Sequence, residues 1–153
     1  MEKQLVELLT KMKLKIATAE SCTGGLLSAA IINVNGASSV IDESHVTYSN
    51  EAKMKYLRVS EDTLDKFGAV SEECALEMAS GVKELANSDI GVSITGIAGP
   101  GGGTVEKPVG LVYIGISFKD SLAHKHIFSG SRDEVRKQSV EMAISHILKE
   151  LHK

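Results

Sequence analysis

The chain has 153 residues, of which 42% are hydrophobic and 24% charged, and its formal net charge is −3. These values are typical of one globular domain with a single core, which we predict to span residues 1–153. The slightly acidic balance argues against a nucleic-acid surface, which requires a clustered basic face. No apolar run approaches the roughly 20 residues of a membrane span. With no signal sequence at its start, the chain is expected to be a cytoplasmic protein.

Hydrophobic periodicity predicts alternating helices and strands. In the first half of the chain we expect an amphipathic helix over 2–13, a strand over 15–19, a helix over 24–34 that closes at Gly36, and β-biased runs at 38–41 and 44–48. Two short helices follow, one over 51–57 and one from Ser60 to Gly68. Ser71 then caps a longer helix with its apolar face at Leu76, Met78, Ala79, Val82, Leu85 and Ala86.

The second half of the chain is richer in predicted strands. We expect buried-type strands over 90–95 and 108–118, an antiparallel partner over 124–128, and a final helix that residues 129–133 open and that extends to Leu151. Helices and strands alternate without repeats or linkers. This pattern predicts an α/β fold, a three-layer α/β/α sandwich with a mostly parallel, mixed sheet.

The most informative stretch follows the first predicted strand. It places an acid, two hydroxyls, a thiol and two glycines in a row, at Glu20, Ser21, Cys22, Thr23, Gly24 and Gly25. The α/β enzymes place substrates where a strand ends in polar and glycine residues at the start of a helix. We therefore predict an active-site corner here, in which Thr23, Gly24 and Gly25 shape the turn and bind the substrate through main-chain N–H groups.

Two residues of this corner are candidate nucleophiles. A serine such as Ser21 reacts only when a nearby base takes its proton. Lys53, at the start of a predicted helix, could serve as that base, with the Tyr48 hydroxyl close by to relay or orient; His45 is the alternative base. Cys22 is the alternative nucleophile, or else a small buried core residue that an extended backbone turns away from Ser21.

The glycine-rich loop 95–104 contains Thr95, Gly96 and Gly99 and lacks the Gly-Lys-Ser/Thr ending of a P-loop. We interpret it as an active-site loop that supplies main-chain N–H donors or holds a substrate ring; the alternative is a long mobile turn. Ser131 and Arg132 open the last helix, where they could bind a phosphate. Ser131 could equally be a simple helix cap with Glu134 as its capping-box partner.

Five motifs in the same order resemble the CinA C-terminal domain family. They are TAESCTGG at 18–25, VTYSNEAK at 46–53, GAVS at 68–71, TGIAGPGG at 95–102 with KPVG at 107–110, and FSGSR at 128–132. The resemblance runs from about residue 3 to residue 151. It implies a three-layer α/β/α sandwich with a mixed sheet. Many members of the family carry a further N-terminal domain that resembles molybdopterin-binding proteins.

The resemblance also implies an activity, that of nicotinamide-nucleotide amidases. These enzymes hydrolyse nicotinamide mononucleotide to nicotinic acid mononucleotide and ammonia, which recycles pyridine nucleotides in NAD metabolism. It implies Ser21 as nucleophile, Lys53 as base with Tyr48 close by, and Arg132 in the substrate pocket. A small nucleotide is then the expected partner, and homo-oligomers are expected. Neither a cofactor nor a metal ion is expected. Since some relatives lack amidase activity, the alternative is a catalytically silent nucleotide-binding or regulatory module.

Overall fold

Five strands form one mixed sheet in the computed structural model, which describes residues 1–153. The strands are β1 (Ile16–Glu20), β2 (Ile41–Val46), β3 (Ile90–Gly96), β4 (Leu111–Ser117) and β5 (Ser121–Ile127). Their order across the sheet is β2-β1-β3-β4-β5. The β2–β1 and β1–β3 pairs are parallel, whereas β3–β4 and β4–β5 are antiparallel. The predicted mixed sheet is confirmed, with parallel pairing restricted to three strands.

Six helices cover the two faces of this sheet. They are α1 (Glu2–Met12), α2 (Leu26–Ile32), α3 (Asn50–Leu57), α4 (Glu61–Phe67), α5 (Glu72–Ala86) and α6 (Arg132–Leu151). Helices α1, α2 and α6 pack on one another on one face, and α3 and α4 pack on α5 on the other. Each face has its own buried hydrophobic cluster. The predicted α/β/α layering is thus confirmed.

Helix starts agree well with the sequence expectations because they depend on local hydrogen bonds. The hydroxyls of Ser49, Ser60 and Ser71 accept from the main chain of α3, α4 and α5. Ser131 and Glu134 form a complete capping box at the start of α6.

Three local expectations were wrong. The two β-biased runs at 38–41 and 44–48 do not form two strands: one strand, β2, spans Ile41–Val46, and most of the first run belongs to a short 3₁₀ helix at Ala37–Ser39 and the residue after it. Gly36 does not close α2, which ends at Ile32; with φ of 88° it leads into the 3₁₀ helix instead. Leu85 does not belong to the buried face of α5, since its side chain is 46% exposed. The buried face of α5 consists of Met78 and four smaller residues, Cys74, Ala75, Ala79 and Val82.

Small residues on both sides let α5 approach the sheet closely. A Cβ atom on Gly91 would lie 2.0 Å from the carbonyl oxygen of Ala79, and one on Gly115 would lie 2.3 Å from that of Ala75. The Ser93 hydroxyl donates to the same Ala75 oxygen at 2.6 Å. The face of α5 that carries Ala75 and Ala79 is therefore the one that packs closely on β3 and β4.

The parallel strands determine where a site can form. Because β1, β2 and β3 run in the same direction, their carboxyl ends at Glu20, Val46 and Gly96 meet at one edge of the sheet. This edge is the usual ligand position in open α/β sheets. No helix of the protein combines the length and apolar character that a bilayer crossing requires.

Three histidines meet where the edge strand β5 contacts α6. The rings of His124 and His146 stack with centroids 3.7 Å apart, and the Nε2 atoms of His126 and His146 are 2.8 Å apart. That hydrogen bond cannot exist when both rings are protonated. Burial lowers the pKa of all three histidines, that of His146 to about 4; Lys149 adds to this lowering, and Glu150 opposes it for His124 and His146.

We expect the free energy of unfolding to fall on acidification because His146 binds a proton more readily in the unfolded chain. The contribution of His146 to the free energy of unfolding is complete above about pH 6.5, the pKa of a histidine in the unfolded chain. It is lost as the pH falls towards 4, the pKa in the folded state. From about pH 7.5 to about pH 4.5 this loss is on the order of 2 kcal/mol. Urea unfolding of wild type and His146→Leu at both pH values measures it. Between the two pH values, the free energy of unfolding of His146→Leu should fall by about 2 kcal/mol less than that of wild type. Equal decreases in the two proteins would contradict the prediction.

Candidate active site

The turn between β1 and α2 is built on two glycines and a buried acid. Gly24 and Gly25 have φ of 57° and 105°, values that side-chain-bearing residues rarely adopt. The Glu20 side chain is fully buried, and its carboxylate accepts from the N–H groups of Leu27 and Ser28, both at 2.9 Å. Negative charge at a helix N-terminus is favourable. Glu20 therefore holds the start of α2 against the end of β1.

Thr23 belongs to this structural support. Its hydroxyl is fully buried and donates to Glu20 Oε1 at 2.6 Å. Thr23, Gly24 and Gly25 thus shape the corner. They were predicted to bind the substrate, but none of the three lines the cleft described below, because this part of the turn is directed towards α2 and α6.

Ser21 and Lys53 meet at the carboxyl edge of the sheet, although 32 positions separate them in the chain. Lys53 Nζ lies 3.0 Å from Ser21 Oγ. The Lys53 side chain is only 1% exposed. Burial is the main cause that lowers the pKa of Lys53 below that of an ordinary lysine, and the thiols of Cys74 and Cys22 oppose the shift.

The main chain around Lys53 orients its amine. Nζ donates to the carbonyl oxygens of Thr47 and Tyr48 at 2.8 and 3.2 Å. A neutral amine has two hydrogens and one lone pair. If the hydrogens occupy the two carbonyls, the lone pair is left for the Ser21 hydroxyl. The pair can therefore exchange a proton over one hydrogen bond.

Cys22, next to Ser21, is mostly buried, although it also contributes to the lining of the cleft. Its side chain is 6% exposed and belongs to the hydrophobic cluster on the α1, α2 and α6 side. Burial raises the pKa of the Cys22 thiol to about 11, as it does for Cys74, and both cysteines are free. A thiolate, the reactive form of cysteine, is disfavoured in this position.

The alternative base, His45, is directed elsewhere. It lies on β2 opposite Ala19, and its Nε2 is 2.7 Å from the carboxylate of Glu43. It does not line the cleft that contains Ser21.

A cleft of about 230 Å³ opens over the Ser21–Lys53 pair. Four segments of the chain line it, through Ser21, Cys22, Tyr48, Asn50, Lys53, Ala69, Val70, Thr95 and Gly96. The predicted residues Thr95 and Gly96 thus reach the cleft from the end of β3. The Thr95 hydroxyl is already engaged, since it donates to the Ala69 carbonyl oxygen at 2.8 Å.

Arg132 connects two sides of the cleft mouth. Its guanidinium donates to the carbonyl oxygen of Gly99 at 2.9 Å and to the Tyr48 hydroxyl at 3.3 Å. The predicted hydroxyl of Tyr48 therefore points to Arg132 and not to Lys53, which contacts only the Tyr48 carbonyl. Ser131 caps α6, and its own N–H donates to Glu134 at 3.2 Å. Of the predicted anion site, the Ser131 N–H is thus already engaged within α6, whereas the Arg132 side chain reaches Tyr48 and Gly99.

Sequence reasoning missed Arg136. From α6 its Nε donates to the Cys22 carbonyl oxygen at 3.0 Å, and its Nη2 donates to that of Thr23 at 3.2 Å. The available signal was its spacing, because residues four apart share one face of a helix. An arginine one turn after Arg132 was therefore a candidate for the same corner. Asn50, at the first position of α3, was missed as a lining residue as well.

No group of three or more histidine, cysteine, aspartate or glutamate side chains is placed to hold a metal ion. The chemistry available at this site is that of the serine hydroxyl, the buried amine, the main-chain N–H groups and the arginines.

Residues 1–151 match the family model described as the CinA C-terminal domain. A competence-damage inducible protein of Clostridium novyi (strain NT) is 52% identical over 152 residues, which are 99% of this chain and 37% of that protein. A CinA-like protein of Kosmotoga olearia shows the same identity and coverage. The chain thus spans little more than a third of the length of these relatives.

Solved structures superpose on this chain along almost their whole length. The competence/damage inducible protein CihA from Agrobacterium tumefaciens superposes with a TM-score of 0.95 at 40% identity, covering 99% of this chain and 93% of that one. A CinA superfamily protein from Klebsiella pneumoniae gives the same TM-score at 35% identity, with coverages of 99% and 95%.

Proposed function

The chain belongs to the CinA C-terminal domain family, and on that premise we propose that it is an amidase. Its substrate would be nicotinamide mononucleotide, and its products nicotinic acid mononucleotide and ammonia. The observation that carries this proposal is the buried amine of Lys53, 3.0 Å from the Ser21 hydroxyl at the base of the cleft.

The burial of Lys53 supports its role as a base. A lysine with an ordinary pKa near 10.4 is protonated at neutral pH and cannot accept the serine proton. Desolvation moves the pKa of Lys53 in the direction that increases the neutral fraction. The carbonyls of Thr47 and Tyr48 hold the amine in place while it changes between its neutral and charged forms.

The proposed reaction is a two-step acyl transfer. Ser21 Oγ attacks the carboxamide carbon while Lys53 takes its proton. The protonated Lys53 then gives that proton to the departing nitrogen, the C–N bond breaks, and ammonia leaves behind an ester on Ser21. Water attacks the ester with Lys53 again as base, which releases the carboxylic acid and restores the serine hydroxyl.

A tetrahedral oxyanion forms in each step and needs hydrogen-bond donors. In acyl-transfer enzymes these are usually main-chain N–H groups, and the loss of one donor costs about 2.7–4 kcal/mol of transition-state stabilisation. Two of the four segments that line the cleft are candidates for these donors, namely Ser21 with Cys22 and, at the end of β3, Thr95 with Gly96.

Arg132 would bind the 5′-phosphate at the mouth of the cleft. Its guanidinium already lies between Tyr48, which lines the cleft, and Gly99 of the glycine loop. Guanidinium groups bind phosphate through paired hydrogen bonds. An anchored phosphate would hold the ring, and with it the reacting carboxamide, against Ser21.

The test is the release of ammonia from nicotinamide mononucleotide by the purified 153-residue chain. We expect turnover of the nucleotide and weaker kcat/KM with free nicotinamide, which lacks the phosphate. Calorimetry with the same nucleotide distinguishes the outcomes. Nucleotide binding without ammonia release would instead identify a catalytically silent nucleotide-binding module, and the absence of both would refute the substrate assignment.

A further inference from the structure

The cations beside the cleft are bonded to neutral main-chain oxygens and not to carboxylates. Lys53 Nζ donates to the carbonyls of Thr47 and Tyr48, and the Arg132 guanidinium donates to that of Gly99. Neither Lys53 nor Arg132 takes part in an ion pair. Once Lys53 is protonated, the cleft therefore carries positive charge that no carboxylate of the protein neutralises directly.

The groups around Lys53 do not supply that missing negative charge. The titratable groups that face it are the thiols of Cys22 and Cys74, and burial raises the pKa of both to about 11, so both are neutral at pH 7. Two carboxylates and two cations act on these thiols in turn, namely Glu20, Glu77, Arg136 and Lys107. Both carboxylates are engaged elsewhere, at the starts of α2 and α4. Both cations donate to main-chain carbonyls.

The protonation state of Lys53 determines which part of the Ser21 hydroxyl is left for a ligand. Besides its two carbonyl partners, Nζ has Ser21 Oγ at 3.0 Å as its third. A neutral amine accepts the Ser21 hydrogen, which leaves the oxygen lone pairs of Ser21 for a ligand. A protonated amine donates its third hydrogen to Ser21 Oγ, which leaves the Ser21 hydrogen for a ligand instead. The hydroxyl is thus an acceptor in one state and a donor in the other.

The substrate and the product of the proposed reaction suit different states of this pair. The carboxamide needs the lone pairs of Ser21, because they attack its carbon. The product carries a carboxylate, which is ionised at neutral pH and can only accept hydrogen bonds. The lone pairs of Ser21 would repel its oxygens, whereas the hydroxyl hydrogen would donate to them. Ser21 and Lys53 both line the cleft, so a carboxylate in the cleft can reach the pair.

We propose that Ser21 and protonated Lys53 form a carboxylate-binding site, so that the acid product binds together with one proton and inhibits the amidase. This inference rests on the proposed acyl-transfer function. The hydrogen bonds run from Nζ through Ser21 Oγ to the carboxylate, and the negative charge of the ligand favours the ammonium form of Lys53. A carboxamide has no charge and does not favour that form. The acid should therefore inhibit more strongly as the pH falls.

Proton uptake on binding tests the proposal. Calorimetry of wild type in two buffers with different enthalpies of ionisation gives the number of protons bound with nicotinic acid mononucleotide. The reference ligand is the same pyridinium nucleotide without its carboxyl group, which offers no amide to hydrolyse and shares the phosphate, so that phosphate titration cancels. We expect the acid to bind with up to about one proton more than the reference. Equal proton numbers for the two ligands would overturn the proposal.

The affinity of the acid should follow the same linkage. Its Kd should rise by up to about tenfold per pH unit above the pKa of Lys53 in the free enzyme, whereas that of the reference ligand should not. Because burial lowers the pKa of Lys53, this rise should begin below the pH range of an ordinary lysine. A Kd of the acid that changes with pH only as that of the reference does would contradict the proposal.

Two lysine variants identify the group that binds the proton. Lys53→Met should abolish the extra proton and weaken binding of the acid by at least about 10-fold, with the reference ligand changed much less. Lys83 is the matched control: its Nζ also donates to a main-chain carbonyl, that of Phe118 at 3.2 Å, but it does not line the cleft. Lys83→Met should behave as wild type. An extra proton that persists in Lys53→Met would refute the site.

The combined results separate failure of the inference from failure of the proposed function. If wild type releases no ammonia but binds the acid with an extra proton that depends on Lys53, the amidase assignment fails and the carboxylate site stands. If wild type is an amidase and the acid binds without an extra proton, or does not bind, the carboxylate site alone is refuted. The absence of both ammonia release and binding of either nucleotide would refute both.

Discussion

Replacing Ser21 with alanine is expected to reduce ammonia release from nicotinamide mononucleotide by at least about 10⁴-fold, since the acyl-enzyme cannot form without the hydroxyl. Nucleotide binding should persist, because Arg132 and the lining of the cleft are unchanged. The side chain is 8% exposed and makes its one side-chain hydrogen bond with Lys53. The fold should therefore tolerate the change. Ammonia assays and calorimetry with the same nucleotide separate catalysis from binding.

A matched serine provides the control. Ser80 lies on α5, and its hydroxyl donates to the Leu76 carbonyl oxygen of the same helix at 3.1 Å. Ser80→Ala removes the same atom outside the cleft and should leave the rate within about twofold, as surface changes away from special features usually do. A Ser21→Ala variant with the wild-type rate would remove Ser21 from the mechanism.

Cys22 is the residue to examine in that case. Its buried thiol has a pKa raised to about 11, so we do not expect it to react. If iodoacetamide inactivated the enzyme and Cys22→Ala lost activity while Ser21→Ala kept it, the nucleophile would be the thiol.

The sequence specified those parts of the site that depend on local interactions. The corner from Glu20 to Gly25 could be located because a strand, polar residues, glycines and a helix follow one another directly. Ser71 and Ser131 could be identified as caps because capping depends on residues within one turn. From residue spacing alone, however, Lys53 and His45 were both open as the base. The resemblance to a family favoured Lys53, and the structure shows His45 beside Glu43 instead.

What the sequence could not specify depends on contacts between distant segments. Nothing near Tyr48 indicates that its hydroxyl points to Arg132, 84 positions away, while its carbonyl contacts Lys53. The contacts of Arg136 with the turn join residues 113 and 114 positions apart. The buried face of α5 depends on how closely that helix approaches Gly91 and Gly115. Periodicity finds a helix face, but the partner surface decides which residues of the face are buried.

Replacing Lys53 with methionine is expected to lower kcat near neutral pH by about 10²–10⁴-fold, the usual contribution of a general base. Methionine fills a similar apolar volume without the amine, so the cleft should keep its shape. The rate of the wild type should rise with pH through the pKa of Lys53. Because burial lowers that pKa, the rise should occur below the pH of an ordinary lysine. The variant should lose this pH dependence. An unchanged rate in Lys53→Met, with a loss in His45→Gln, would transfer the base role to His45.

The same substitution should not destabilise the fold, and this separates a catalytic lysine from a structural one. A lowered folded-state pKa means that the fold binds fewer protons than the unfolded chain, so stability falls as the pH drops from above 10.5 through the pKa of the folded state. At neutral pH the wild type therefore bears the cost of burying Lys53, which methionine removes. Urea unfolding at pH 7 should show Lys53→Met at least as stable as wild type. A variant that is inactive yet more stable would indicate that Lys53 is retained for its chemistry, whereas a large loss of stability would indicate that its contacts with Ser21, Thr47 and Tyr48 are structural.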